Sequence, residues 1–198
     1  MDVFEAILTR RSIRRYTPQP IPDTLMEQIL QAAIWSPSAH NRQPFRFMVI
    51  RTQATKEQLA RAMGAQLRHD LTRDGAPIDL IEQDVNRSYE RITQAPALIL
   101  LALSMVDMDS YTDPTRNQHE RTMAVQSSAM AGQNILLAAH ALGLGACWMC
   151  APLFCAAVVK SVLELPIDWE PQALIALGFP AQTREKTRHP LEKSVLWR

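Results

Sequence analysis

Hydrophobic positions along the chain switch between a helical period and short unbroken runs, and each switch marks an element. Val3, Phe4, Ile7 and Leu8 fall on one stripe, which predicts a short amphipathic helix over Asp2–Arg10. Thr17–Pro22 holds three prolines in six residues and must be extended or turning. Thr24-Leu25-Met26-Glu27 reads as a capping box, and behind it Leu25, Met26, Ile29, Leu30, Ala33 and Ile34 repeat at helical spacing up to Ser36-Pro37. A polar loop, Ser38–Gln43, leads to a strand at Phe45–Arg51, and a helix is expected around Thr55–Met63. The polar stretch Gly64–Gly75 has no clear period, whereas Ile78, Ile81, Val85, Tyr89 and Ile92 restore the helical one before Pro96.

Ala97–Leu103 is apolar throughout and short, the signature of a strand buried on both faces. After an irregular, acidic stretch at Val106–Gln118 comes the longest helix, about Glu120–Leu142, apolar on nearly every face and so expected to be buried all round, either inside one core or between two subunits. Gly143 and Gly145 end it and introduce a short strand, Ala146–Met149. Pro152 opens another helix to Leu163, Ala173–Leu177 is the last strand, and the tail Pro180–Arg198 is basic. Helices and strands mix without strict alternation, which predicts an α+β fold in a single domain over 1–198.

Composition narrows the function classes. Lys plus Arg number 21 against 20 for Asp plus Glu, so no global basic field points to nucleic acid. The apolar runs Ala95–Met105 and Met123–Cys150 are too short or too interrupted to span a membrane. The opening residues MDVFEAILTRRS carry acids and lack a secretory hydrophobic block, and three cysteines do not make a disulfide framework. A cytoplasmic protein is the expectation.

Two polar segments stand out. Arg10-Arg11-Ser12-Ile13-Arg14 concentrates guanidinium groups and a hydroxyl as a phosphate requires, although a solvated basic turn has the same composition. Trp35-Ser36-Pro37-Ser38-Ala39-His40-Asn41-Arg42-Gln43-Pro44 offers donors and acceptors suited to a heteroaromatic edge, and is equally an ordinary hydrogen-bonded turn. Cys147-Trp148-Met149-Cys150 is a C-x-x-C, but its apolar surroundings read as a strand, where alternate side chains face opposite ways. The five histidines show no ligand spacing, so no metal site is expected; His40 is notable only for the loop that carries it.

Taken together, RRSIRRY followed by WSPSAHNRQPFRF resembles the nitroreductase family of FMN-dependent oxidoreductases. The resemblance extends to the Leu142-Gly143-Leu144-Gly145 step, to Leu177-Gly178-Phe179-Pro180 and to the closing Arg188-His189-Pro190-Leu191-Glu192. It implies a central, mostly antiparallel sheet surrounded by helices, with the long helix at a homodimer interface. It implies that Arg10, Arg11, Ser12 and Arg14 hold the FMN phosphate and the nearby ring edge, with Lys186 and Arg188 closing from the tail. Pro37, Ser38, Ala39, Asn41 and Gln43 would reach the flavin from the partner subunit, and Trp148, Met149, Cys150 and Ala151 would lie against the isoalloxazine. No side-chain acid or base is required; NAD(P)H would reduce the flavin, which would then reduce a small acceptor such as a nitroaromatic or quinone.

Many members carry Glu-Gly where this chain has Cys150-Ala151, and the segment 64–94 does not match the larger members, which leaves reductant and acceptor open. The WSPSAHNRQPFRF form is similar to the flavin domain associated with deazaflavin-cofactor glutamyl ligases, though nothing here resembles a ligase. A deazaflavin-linked flavoenzyme, a non-catalytic flavin-binding protein and, last, a C-x-x-C thiol oxidoreductase are the competing readings.

Overall fold

The computed structural model describes residues 1–198. Its ten main elements run α1 (Val3–Thr9), α2 (Asp23–Ile34), β1 (Phe45–Ile50), α3 (Gln53–Arg73), α4 (Ile78–Thr93), β2 (Ala97–Leu103), α5 (Pro114–Ala141), β3 (Gly145–Met149), α6 (Ala156–Val162) and β4 (Glu170–Gly178). The strands form one antiparallel sheet in the order β1-β2-β4-β3. The α+β architecture is the expected one.

β2 lies inside the sheet, and successive residues point to opposite sides of it. Ala97 and Ile99 join Ile29 and Ala33 of α2 and Ile135 and Ala139 of α5 on one face. Leu98 and Leu100 join Leu59 and Met63 of α3 and Val159 of α6 on the other. All seven residues of β2 are buried because helices cover both faces, which is why its sequence carries no polar alternation.

Several elements differ from the sequence expectation for identifiable reasons. α2 starts at Asp23 with Pro22 as its cap residue and no side-chain cap bond, so Thr24 lies inside the first turn and no capping box forms. α3 continues through the polar stretch to Arg73, where ion pairs such as Arg68–Glu82 at 2.8 Å brace it against α4. α5 begins at Pro114, six residues before the expected start at Glu120, because Asp113 caps it by accepting from the Arg116 N–H at 2.9 Å. The segment opened by Pro152 is a 3-10 turn, Ala151–Phe154, which breaks at Cys155 before α6 begins.

Two apolar faces are not covered within the chain. The stripe Val3, Phe4, Ile7 and Leu8 of α1 is exposed, and only Ala6 is buried. α5 buries Ala124, Ala131, Ile135 and Ala139 but leaves Gln126, Ala129, Met130 and Gln133 outward, so it is not enclosed on all sides. No helix is long and apolar enough to cross a membrane.

Because Leu100 is fully buried in the α3–α6 layer, Leu100→Ala leaves a cavity that the surrounding helices can only partly close. Chemical denaturation should show a loss of about 2–5 kcal/mol, and a loss under about 1 kcal/mol would mean that this layer is loosely packed.

Candidate functional site

The free edge of β3 positions the first basic motif. Ser12 forms a parallel bridge with Ala146, and the Ile13 N–H donates to the Ala146 carbonyl at 3.0 Å. Gly145 makes this approach possible, since a Cβ there would come within 2.7 Å of Ile13. The Tyr16 hydroxyl donates to the Ile13 carbonyl at 2.6 Å and lies 3.1 Å from the Ala176 carbonyl, pinning the segment to the sheet. Beyond β4 the tail returns alongside: Thr17 N–H donates to the Phe179 carbonyl at 2.9 Å, and Ala181 N–H to the Arg15 carbonyl at 3.0 Å.

This arrangement brings Arg10, Arg11, Ser12 and Arg14 to one pocket of about 230 Å³ with Lys186 and Arg188, and with Arg184, which the sequence pattern did not single out. No carboxylate and no hydrophobic side chain lines it. The buried Arg11 Nε has no hydrogen-bond partner. Burial, followed by repulsion from Arg188 and Arg11, holds the Arg10 pKa below its ordinary value. Cations crowded in this way favour an anion between them, and the donors are those that a phosphate takes.

A second, larger cleft of about 510 Å³ shares Arg14 and Arg184 with the first. Its far wall is α4, which contributes Gln83, Asn86, Arg87, Glu90 and Arg91, with its C-cap residue Gln94, opposite the tail residue Gln182. Burial, and then repulsion from Arg14 and Arg87, lowers the Arg91 pKa. These α4 residues were not recognised from sequence. Their signal was the polar face at helical spacing opposite Ile81, Val85 and Ile92, which on its own is indistinguishable from a solvated helix face.

The loop residues lie elsewhere. Pro37, Asn41 and Gln43 line a surface recess with Trp35. Ser38 Oγ accepts from the Gln43 N–H at 3.0 Å, and the Ala39 N–H donates to Ser127 Oγ of α5 at 3.2 Å. His40, Asn41 and Gln43 all have left-handed φ values, of 51°, 55° and 50°. Three such non-glycine residues in one loop store strain, a feature that concentrates at ligand sites. The basic pocket is near the other end of α5, where Thr9 Oγ1 meets His140 Nε2 at 2.8 Å. Ser127 and His140 are separated by roughly 20 Å along the helix axis, so one chain does not bring the two motifs together.

At the end of β3, Trp148 packs against α5, where Gly132 leaves room for its ring; a Cβ on Gly132 would come within 2.1 Å of it. The Trp148 indole N–H donates to Cys150 Sγ at 3.0 Å. Met149 packs on the opposite sheet face, against the α3–α6 layer, together with Ala151. Cys147 is buried and Cys150 exposed, both are free thiols, and burial pushes the Cys147 pKa up. The C-x-x-C therefore lacks the activated, paired geometry of a thiol redox centre.

A nitroreductase family model matches residues 7–179, and the chain belongs to that family. It is 30% identical to a protein named NADH dehydrogenase from Thermus thermophilus, with 100% of this chain and 97% of the relative covered. Among solved structures, a nitroreductase-type protein from Desulfovibrio desulfuricans in complex with FMN is 33% identical, with a TM-score of 0.77 over 100% of this chain and 97% of that one. A BluB-like flavoprotein from Clostridium difficile shares the fold at a TM-score of 0.83 and 22% identity, covering 100% of this chain and 99% of that one.

His140 supplies a pH test of the crowded charge. Burial, then the neighbouring Arg10 and Arg11, lowers its pKa. Below roughly pH 6.5 the unfolded chain therefore binds a proton that the folded chain resists, and stability falls as pH falls. Denaturation midpoints compared at about pH 7.5 and about pH 5.5 should drop less for His140→Gln than for the parent; equal drops would place the acid sensitivity elsewhere.

Proposed function

We propose that this chain is an FMN-dependent oxidoreductase that works as a homodimer, taking reducing equivalents from NAD(P)H and passing them by a ping-pong cycle to a small acceptor such as a nitroaromatic or quinone. The observation that carries this reading is the convergence of Arg10–Arg14 and Arg184–Arg188, far apart in sequence, on one carboxylate-free pocket with an orphaned guanidinium nitrogen. An FMN phosphate fits that donor set, and the structurally similar D. desulfuricans protein holds FMN. The flavin, when bound, supplies the redox chemistry, and the protein contributes binding, orientation and electrostatics.

Arg10, Arg11, Ser12, Lys186 and Arg188 would hold the phosphate. Arg14, which lines both cavities, would place its guanidinium toward the ring's carbonyl edge and offset negative charge gathered there on reduction. The side-chain amides of Asn86, Gln94 and Gln182 both donate and accept, as a pyrimidine-type edge requires. The backbone of Trp148–Ala151, with Cys150 emerging at the strand end, would lie beside the ring, since the Trp148 and Met149 side chains leave β3 on opposite faces.

Pro37, Ser38, Ala39, Asn41 and Gln43 are too far along α5 to complete their own chain's pocket, which favours their service to the neighbouring subunit. The uncovered α1 stripe and the outward Ala129 and Met130 of α5 support the same assembly, because apolar faces of this kind are normally covered.

The test is an absorbance spectrum of the purified protein before and after anaerobic NADH or NADPH. Flavin bands near one per chain that bleach on addition are expected. Bands that persist would favour a deazaflavin donor or a flavin carrier without turnover, and an absence of bands after FMN is added would overturn the cofactor assignment. Replacing Arg10 and Ser12 together with Ala should lower FMN retention by about tenfold or more, since each removes a direct phosphate donor. Unchanged flavin content in that variant would count against the phosphate pocket.

A further inference from the structure

Glu120 is an anomaly on α5. It is only 3% exposed, and its Oε2 neither reaches solvent nor finds a hydrogen-bond partner. A carboxylate in that position is costly to bury without a positive charge beside it. The groups that do approach it are His40, from the strained loop, and Asp109, from the segment after β2. One ligand atom from each of the three lies within 4.8 Å of the others. Arg42 does not fill this gap, because it is paired with Asp109 Oδ1 and leaves Oδ2 free.

We propose that His40, Asp109 and Glu120 bind one divalent transition-metal ion, zinc being the best match. An imidazole nitrogen with two carboxylates suits zinc rather than calcium or magnesium, which take oxygen ligands, and water completes the four-coordinate shell. Zinc–ligand bonds of about 2.0–2.2 Å require the three atoms to close inward by about 1 Å each, a movement that the exposed His40 ring and half-exposed Asp109 can supply. With a neutral imidazole, Asp109, Glu120 and Arg42 leave one net negative charge, which the cation reverses. The ion joins three separate segments: the Ala39–Asn41 turn, the loop after β2 and the second turn of α5. Its structural effect is to clamp the Ser38–Gln43 loop to α5. The site stands whether or not the flavin assignment does.

The experiment uses the full chain, stripped with EDTA and titrated with ZnCl₂ by calorimetry, with metal counted by mass spectrometry. One zinc per chain is expected, with affinity reduced by about tenfold or more in His40→Ala and in Glu120→Gln, as befits loss of a direct ligand. Cobalt substitution separates this site from the cysteines: visible d–d bands without thiolate charge-transfer absorption are expected. His40 is exposed, so H40A tests the site even if E120Q fails to fold. Absence of zinc uptake, uptake undiminished in H40A, or cobalt–thiolate bands would each overturn the proposal. Flavin content measured on the same samples reports the cofactor assignment independently.

Discussion

The docking of residues 10–16 onto the open edge of β3 is the constraint on which the rest of the site depends. A hydrogen bond from Ile13 to Ala146 and a side chain pressed against Gly145 hold a segment that would otherwise be a solvated basic turn. Edge strands expose unpaired backbone groups, and here the edge is covered by the residues that carry the positive charge. The tail then pairs with the outer side of that segment at Arg15 and Thr17, so two distant basic stretches meet without a side-chain contact having to draw them together. Backbone pairing sets the geometry, and no carboxylate lines the pocket to neutralise the guanidinium groups.

The sheet makes this edge rigid. Helices cover both faces of β2 and β4, and residue alternation assigns each side chain to one of two layers, α2–α5 or α3–α6. β3 pairs along its whole length with β4, so an anchor on β3 is an anchor on the core. The same geometry explains the behaviour of the Cys147–Cys150 segment. Trp148 and Met149 leave the strand on opposite faces, Cys147 is sealed inside, and only Cys150 emerges. The members of the motif are separated in the way that its strand-like surroundings predict.

Charge in this molecule is local. The chain carries a formal net charge of only +1, yet its two adjoining cavities gather Arg10, Arg11, Arg14, Arg15, Arg87, Arg91, Arg184, Lys186 and Arg188 against the single carboxylate of Glu90. Such crowding destabilises the protein without a ligand and favours an anionic one, a trade-off common at binding sites. Burial first, and this crowding second, depress the pKa values of Arg10, Arg91 and His140. The strained turn at His40–Gln43 and the buried Glu120 carboxylate are a second concentration of unfavourable terms, far along α5 from the first.

Periodicity was sufficient for the element types, because apolar spacing at Ile78–Ile92 or the unbroken run Ala97–Leu103 records local geometry directly. Residue pattern was sufficient for the family, because Arg-Arg-Ser-Ile-Arg and the Ser-Pro-Ser loop each occupy a few consecutive positions and were informative in combination. Element ends were less legible: α3 extends through a polar stretch on the strength of ion pairs to α4, and the N-terminus of α2 ignores the capping box that its sequence spells. The amphipathic stripe of α1 was correctly periodic and yet faces outward, since a pattern states that a face is apolar and not what covers it. The polar face of α4, the arrival of Arg184 beside Arg14, and the meeting of His40, Asp109 and Glu120 were decided by tertiary structure alone. Each joins residues tens of positions apart through the packing of whole elements, and no local spacing along the chain encodes a distance that only the folded core sets.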